Sequence, residues 1–150
     1  HVEIDDAHLV KLIKKSSELP GYEIFRYKDE DGQFYAVDSD DVNEYIRTYM
    51  GKSFSSKDFR TWVASRLAVE LYPYAVEALA ETKKRKFSNT LIRMVADELG
   101  NTPNVCRSYY IHPNIMQKIE EKSLPNKFHE DDGMKQFELT SSEKEVMKHL

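Results

Sequence analysis

The chain has 150 residues, of which 40% are hydrophobic and 32% charged, with a formal net charge of −4 and one cysteine. That composition suits one soluble domain with a real core; it leaves no apolar run near the roughly 18 residues a membrane span needs and no secretory signal pattern. Cys106 has no partner for an internal disulfide, which fits a reducing cytoplasm.

The first residues, His1 to Ile4, alternate like the end of a strand, and 5–17 reads as a helix capped by Asp5 or Asp6 with Leu9, Leu12 and Ile13 on its apolar stripe. Pro20-Gly21 stops it. "YEIFRY", the turn "KDEDG" and "QFYAV" predict an aromatic-rich β-hairpin with Gly32 in the turn. Ser39 is the expected cap of a helix with Val42, Tyr45, Ile46 and Tyr49 on its apolar face, ended by Gly51. Ser55 or Ser56 opens the helix "SKDFRTWVASRLAVELY", whose expected buried stripe is Phe59, Trp62, Val63, Leu67 and Leu71. Lys57, Arg60 and Ala64 fall on another face.

"ETKKRKFSN" reads as a charged connector, and Ser88 or Asn89 opens a helix buried through Leu91, Ile92, Val95 and Leu99, with Gly100 at its end. Thr102-Pro103 is an N-cap and first-turn proline, so another helix begins at once. His112-Pro113 repeats the device ahead of "NIMQKIEEK". Residues 123–139 read as a polar linker, and "TSSEKEVMKHL" as a short last helix with a capping box of Ser142 and Glu145. The expected fold is mainly α with one small hairpin.

Charge is unevenly spread. Residues 23–44 carry eight acids against two bases, whereas 51–111 carry ten bases against six acids. The net charge argues weakly against nucleic acid, but the basic middle has the charge for a phosphate-binding surface while the flanks stay acidic. The histidines lack metal-ligand spacing, no glycine-rich phosphate loop exists, and "DEDG" lacks the remaining ligands of a calcium loop. No metal and no cofactor is expected.

One group of chemistry-bearing residues stands out: Lys57, Arg60, Asn101, Arg107 and Tyr110, with Tyr109 alongside. Each has a structural reading as well. Lys57 and Arg60 suit a solvated helix face, Asn101 a helix-terminating turn, and the tyrosines a half-buried core. The run Lys83-Lys84-Arg85-Lys86 suits a solvated connector or a backbone contact, and Glu130 to Asp132 a solvated linker.

"KDFRTW" (57–62) and "LGNTPNVCRSYYIHP" (99–113) closely resemble the catalytic domain of bacterial and poxvirus-type DNA topoisomerases IB. "LPGYEIFRYKDEDG", "DSDDVNEYIR" and "TSSEKEVMKHL" look like the bacterial branch, so the resemblance covers nearly the whole of 1–150 as a carboxy-terminal catalytic domain. It implies that Tyr110, directly before "IHP", is the nucleophile, that Arg60 contacts the scissile phosphate and that Asn101, nine residues before Tyr110, donates to it. Lys57 and, more loosely, Arg107 are expected on the DNA backbone.

The implied activity is relaxation of supercoiled double-stranded DNA through a 3′-phosphotyrosyl intermediate, without ATP or metal, by a monomer in the cytoplasm at the nucleoid. The family also uses a second arginine and a general-acid lysine on an upstream hairpin, with His1 to Ile4 resembling that hairpin's trailing edge; Lys28 is not assigned the role. The chain reads as a fragment expected to bind DNA weakly and cleave it poorly. The rivals are a tyrosine site-specific recombinase, which "KDFR" in place of H-x-x-R disfavours, and a non-catalytic helical interaction module, acidic on one flank, that binds a protein; no membrane partner is expected.

Overall fold

The computed structural model describes residues 4–81, 86–127 and 138–150. Helices dominate, and the described strands form one two-stranded antiparallel sheet, as the composition and turn signals predict. Among the described residues no helix is long and apolar enough to cross a membrane. Contacts divide the chain into two compact units, His1–Ser56 and Lys57–Leu150.

In the first unit, helix α1 (Ala7–Ser17) is capped by Asp6, whose carboxylate accepts from Leu9 N at 2.8 Å. Strands β1 (Arg26–Lys28) and β2 (Phe34–Ala36) pair with Tyr27 opposite Tyr35, their rings stacked at 5.5 Å. The acidic turn is explained by its own closure: Gln33 N donates to Asp29 Oδ1 at 2.8 Å, and Gly32 takes φ 85°. Ser16 ties the hairpin to α1, its hydroxyl accepting from Arg26 N at 2.6 Å and donating to Arg26 O at 2.8 Å. The Arg26 side chain folds inward beside Gly21, where φ is 129° and a Cβ would collide with the guanidinium.

Helix α2 (Ser39–Met50) begins one residue earlier than expected in its capping. Asp38, not Ser39, is the N-cap, and with Asp41 it closes a reciprocal box. A carboxylate accepts from two successive N–H groups and favours the positive end of the helix dipole, which the hydroxyl next door does not match. Of the expected apolar face only Ile46 is buried; Val42, Tyr45 and Tyr49 are exposed, the two tyrosines packing on each other at 4.5 Å.

In the second unit, helix α3 (Ser56–Glu70) buries Ala64, Ser65, Ala68 and Val69. The expected stripe is thus displaced. Phe59 is exposed, and Trp62, Leu67 and Leu71 only border the core. Apolar residues ring this helix, so size decides which face goes in: small side chains let neighbouring backbone approach, and bulky ones line the rim. Ala64 is fully buried, which places Lys57 and Arg60 at the solvent end of the face that runs into the core, not on a separate one.

Helix α4 (Tyr72–Glu81) was not expected; Tyr72 had the look of the end of the preceding helix. Pro73 sits in the first turn of α4, where its missing N–H costs nothing. Tyr72 meets Phe87 edge to face at 5.0 Å. Phe87 is buried, so helix α5 (Phe87–Leu99) starts before Ser88 and Asn89 and draws the end of the supposed connector into the core. Lys83, Lys84 and Arg85 lie outside the described residues, as do Glu130 to Asp132 and most of the expected linker; Leu124, within that linker, is buried.

Leu91, Ile92, Val95 and Ala96 of α5 form the middle of the core, with Leu99 at its edge. Each fully buried Leu or Ile contributes about 1.5–3 kcal/mol. Beyond Gly100, left-handed at φ 61°, come the short helix α6 (Pro103–Val105), a π-helix (Cys106–Tyr110) and helix α7 (Pro113–Glu121).

Helix α8 (Ser141–Met147) is capped by Thr140 and Glu143, not by Ser142 and Glu145. Ser142 is instead buried, donating to Glu70 Oε1 at 2.7 Å, the same oxygen that Arg66 holds at 2.9 Å. Glu145 holds Lys148 at 2.7 Å and His149 at 3.0 Å. Burial pushes the Glu145 carboxyl up, but those hydrogen bonds outweigh it and the net shift is below the ordinary 4.5. Its folded pKa lies under its unfolded one, so its stabilisation is complete above that ordinary value and fades as pH falls through the lowered one. Protection of the Val146 and His149 amides, measured against the free-chain exchange rate at each pH, should therefore fall on acidification. In Glu145→Gln that acid-dependent component should vanish; an unchanged pH profile would remove Glu145 as its cause.

Candidate active site

The stretch "NTPNVCRSYYIHP" (101–113) folds as two helix starts with a π-turn between them. Thr102 Oγ1 accepts from Val105 N at 3.4 Å, and Cys106 N reaches back to Thr102 O at 3.0 Å. The chain then widens: Ile111 N donates to Cys106 O at 2.9 Å, an i to i+5 bond that defines the π-turn. Such turns are rare and concentrate at functional sites. Ile111 ends the π-turn and His112 caps α7, its Nδ1 accepting from Asn114 N at 3.3 Å, with Pro113 in the first helical position.

Three anchors fix this segment. Ile111 and Cys106 are buried, and burial pushes the Cys106 thiol up, so it stays protonated and packs as a small apolar group. The backbone N–H of His112 donates to Ser65 Oγ at 3.0 Å. Ser65 is itself buried on α3, within the apolar-looking stretch "VASRLAV". It was not among the candidate residues. A serine inside such a stretch is the signal that was available, since a buried hydroxyl needs a partner. At the far side Asn114 Nδ2 donates to His149 O at 2.7 Å, tying the start of α7 to the end of α8.

Two cations of α3 meet the two tyrosines in parallel. The Arg60 guanidinium carbon lies 5.6 Å from the Tyr110 ring centroid. Lys57 Nζ lies 5.9 Å from the Tyr109 ring centroid. Tyr110 is half-buried and packs against the core, whereas Tyr109 is 61% exposed. Each of the adjacent rings finds its own cation.

An open groove of about 690 Å³ runs beside them, lined by Lys57, Arg107, Ser108, Tyr109, His112, Gln117 and Glu120 among others. Lys57 and Arg107 therefore share one surface. Tyr109, not Tyr110, lines that groove. Arg107 donates to Asn89 Oδ1 at 2.7 Å and lies 3.8 Å from a Glu120 oxygen. Asn89 and Glu120 were not site candidates; Asn89 read only as a helix opener, and nothing in its local sequence distinguishes Glu120 from a solvated helix residue.

Asn101 is placed differently. Its Nδ2 donates to Leu99 O at 2.9 Å and its backbone N–H to Ala96 O at 2.9 Å, so its described contacts finish α5. An amide has a second N–H, and that one carries no described bond. Arg60 and Tyr110 are brought together, Lys57 and Arg107 share the groove with Tyr109, and Asn101 joins neither set by a described contact.

A family model for the eukaryotic DNA topoisomerase I catalytic core matches residues 1–136. The DNA topoisomerase 1B of Acanthamoeba polyphaga mimivirus is 36% identical over 97 residues, covering 60% of this chain and 27% of that protein. This chain thus spans about a quarter of the length of that relative. A family match across residues 1–136 decides the assignment: the chain belongs to the family of the eukaryotic DNA topoisomerase I catalytic core.

Proposed function

We propose that this chain supplies the nucleophile and phosphate clamp of a type IB topoisomerase acting on double-stranded DNA. The observation that carries the reading is the Arg60 guanidinium set over the Tyr110 ring in a chain of this family. The carboxy-terminal catalytic assignment of 1–150 belongs to the same proposal.

The chemistry follows from the residue types. The Tyr110 phenolic oxygen gives up its proton to solvent water and attacks the scissile phosphorus; the new O–P bond forms as the bond from phosphorus to the 5′ oxygen breaks. The products are a 3′-phosphotyrosyl link and a 5′ end that leaves as a hydroxyl once it gains a proton. The phosphodiester's bond energy is kept in that link, so the reverse attack reseals the strand without ATP. Between the two steps the free end rotates and supercoils relax.

Negative charge grows on the non-bridging oxygens as the bond forms. Arg60 offers them a planar fork of donors. Asn101 offers its second amide hydrogen. Preorganised donors of this kind are worth roughly 3–4 kcal/mol each. Lys57 and Arg107 bind backbone phosphates along the groove, which sets affinity and not sequence.

None of these residues is assigned the proton donor to the 5′ oxygen. The test therefore removes the need for one. A pool of duplexes of varied sequence carries sulfur in place of the scissile 5′ oxygen, because a thiol with a pKa near about 8.5 leaves as its anion far more readily than an alcohol. Incubation should yield a covalent protein–DNA adduct on a denaturing gel. No adduct, together with no DNA binding at low salt, would overturn the reading.

A further inference from the structure

Arg107 is held by two acceptors of different charge. Asn89, in the first turn of α5, offers a neutral amide oxygen at 2.7 Å. Glu120, on α7, offers a carboxylate at 3.8 Å, beyond hydrogen-bond reach. Both Arg107 and Glu120 line the groove that also holds Lys57 and Tyr109, and Asn89 is outside that lining. The Glu120 side chain is 61% exposed, so water screens its hold on the guanidinium.

A guanidinium on an exposed π-turn has many rotamers. One short bond to an acceptor in the first turn of α5 restricts them before a ligand arrives, and that part of the ordering cost is then not charged to binding. A carboxylate at the Asn89 position would fix the side chain as firmly. It would also cancel the charge that attracts phosphate. The neutral amide fixes it and leaves the charge.

We infer that Asn89 is a positioning residue for the DNA backbone, aiming the Arg107 guanidinium at a phosphate while leaving its charge unspent, and that Glu120 is a weak competitor that phosphate displaces. This rests on the reading of the groove as a DNA surface.

The test measures binding of the whole chain to a short labelled duplex of mixed sequence by fluorescence anisotropy across a salt series. Asn89→Asp should weaken binding about tenfold near 0.1 M salt and reduce the salt slope by about 0.9, the loss of one phosphate contact. Asn89→Ala should weaken it about threefold with the slope unchanged, since the charge remains but wanders. Glu120→Gln should strengthen it about threefold. Melting temperature is followed for every variant, and Asn89→Asp should melt no lower than wild type because it gains an ion pair with Arg107.

Wild-type affinity in Asn89→Asp, or losses that track a fall in melting temperature, would overturn the inference. If Lys57→Ala still weakened binding in that case, the groove reading would stand without it. A wild-type chain that binds no DNA at low salt would remove both.

Discussion

Tyr110→Phe is expected to abolish the covalent adduct, and Tyr109→Phe to leave it within about two- to threefold of wild type, the range for loss of one surface group. The two residues are adjacent, both are tyrosine and both face a cation, but their surroundings differ. Tyr110 sits directly before the Ile111-His112-Pro113 anchors, half-buried and under Arg60. Tyr109 is exposed, lines the groove and faces Lys57. Phenylalanine keeps the ring in either place. The core packing at 110 and the cation contact at 109 both persist, and stability should change little. What differs is the hydroxyl. If that of Tyr110 is the nucleophile, no amount of DNA binding replaces it and the adduct lane is empty. The reverse pattern, an adduct from Tyr110→Phe and none from Tyr109→Phe, would assign the chemistry to the tyrosine of the groove.

The sequence made the helices legible wherever start signals were local. Thr102-Pro103 and His112-Pro113 each place a cap before a proline, and both open helices in the structure. The hairpin was legible for the same reason, through Gly32 and the acidic turn. Caps chosen between neighbours were less so. Asp38 displaced Ser39, and Thr140 displaced Ser142, because the better acceptor or the deeper burial of the rival decides, and both are tertiary facts.

The buried face of α3 was misread on size. Periodicity weighs Phe59 and Leu71 heavily, while the fold buries Ala64, Ser65 and Ala68 so that the His112 backbone can reach Ser65. The π-turn was not legible at all, since no residue in Cys106–Tyr110 requires an i to i+5 bond. Among site candidates, the pairing of "KDFR" with the second tyrosine was readable only as a resemblance; the geometry adds that Lys57 and Arg60 take one ring each. The Asn89 and Glu120 partners of Arg107 come from helices distant in sequence, and no local pattern announces them.

Arg60→Ala is expected to slow single-turnover cleavage by about 10²- to 10³-fold, the usual cost of removing one donor aimed at developing charge. The same variant should bind duplex DNA nearly as well, with the salt slope lower by at most about 0.9, because one phosphate contact among several is lost. The separation of the two effects is the diagnostic feature. Lys57→Ala should do the opposite, weakening binding with a much smaller effect on the cleavage rate of bound DNA. Arg60→Lys distinguishes charge from shape: lysine restores the positive charge but not the planar fork that reaches two oxygens together. Recovery of no more than a tenth of the lost rate constant would indicate that bidentate geometry matters. Loss of the Arg60 contact to the Tyr110 ring adds about 0.5–1 kcal/mol at an exposed site, which melting would register and which falls short of the kinetic effect. Cleavage by Arg60→Ala within about threefold of wild type would leave Arg60 as a neighbour that steadies the tyrosine ring and would sink its role at the phosphate.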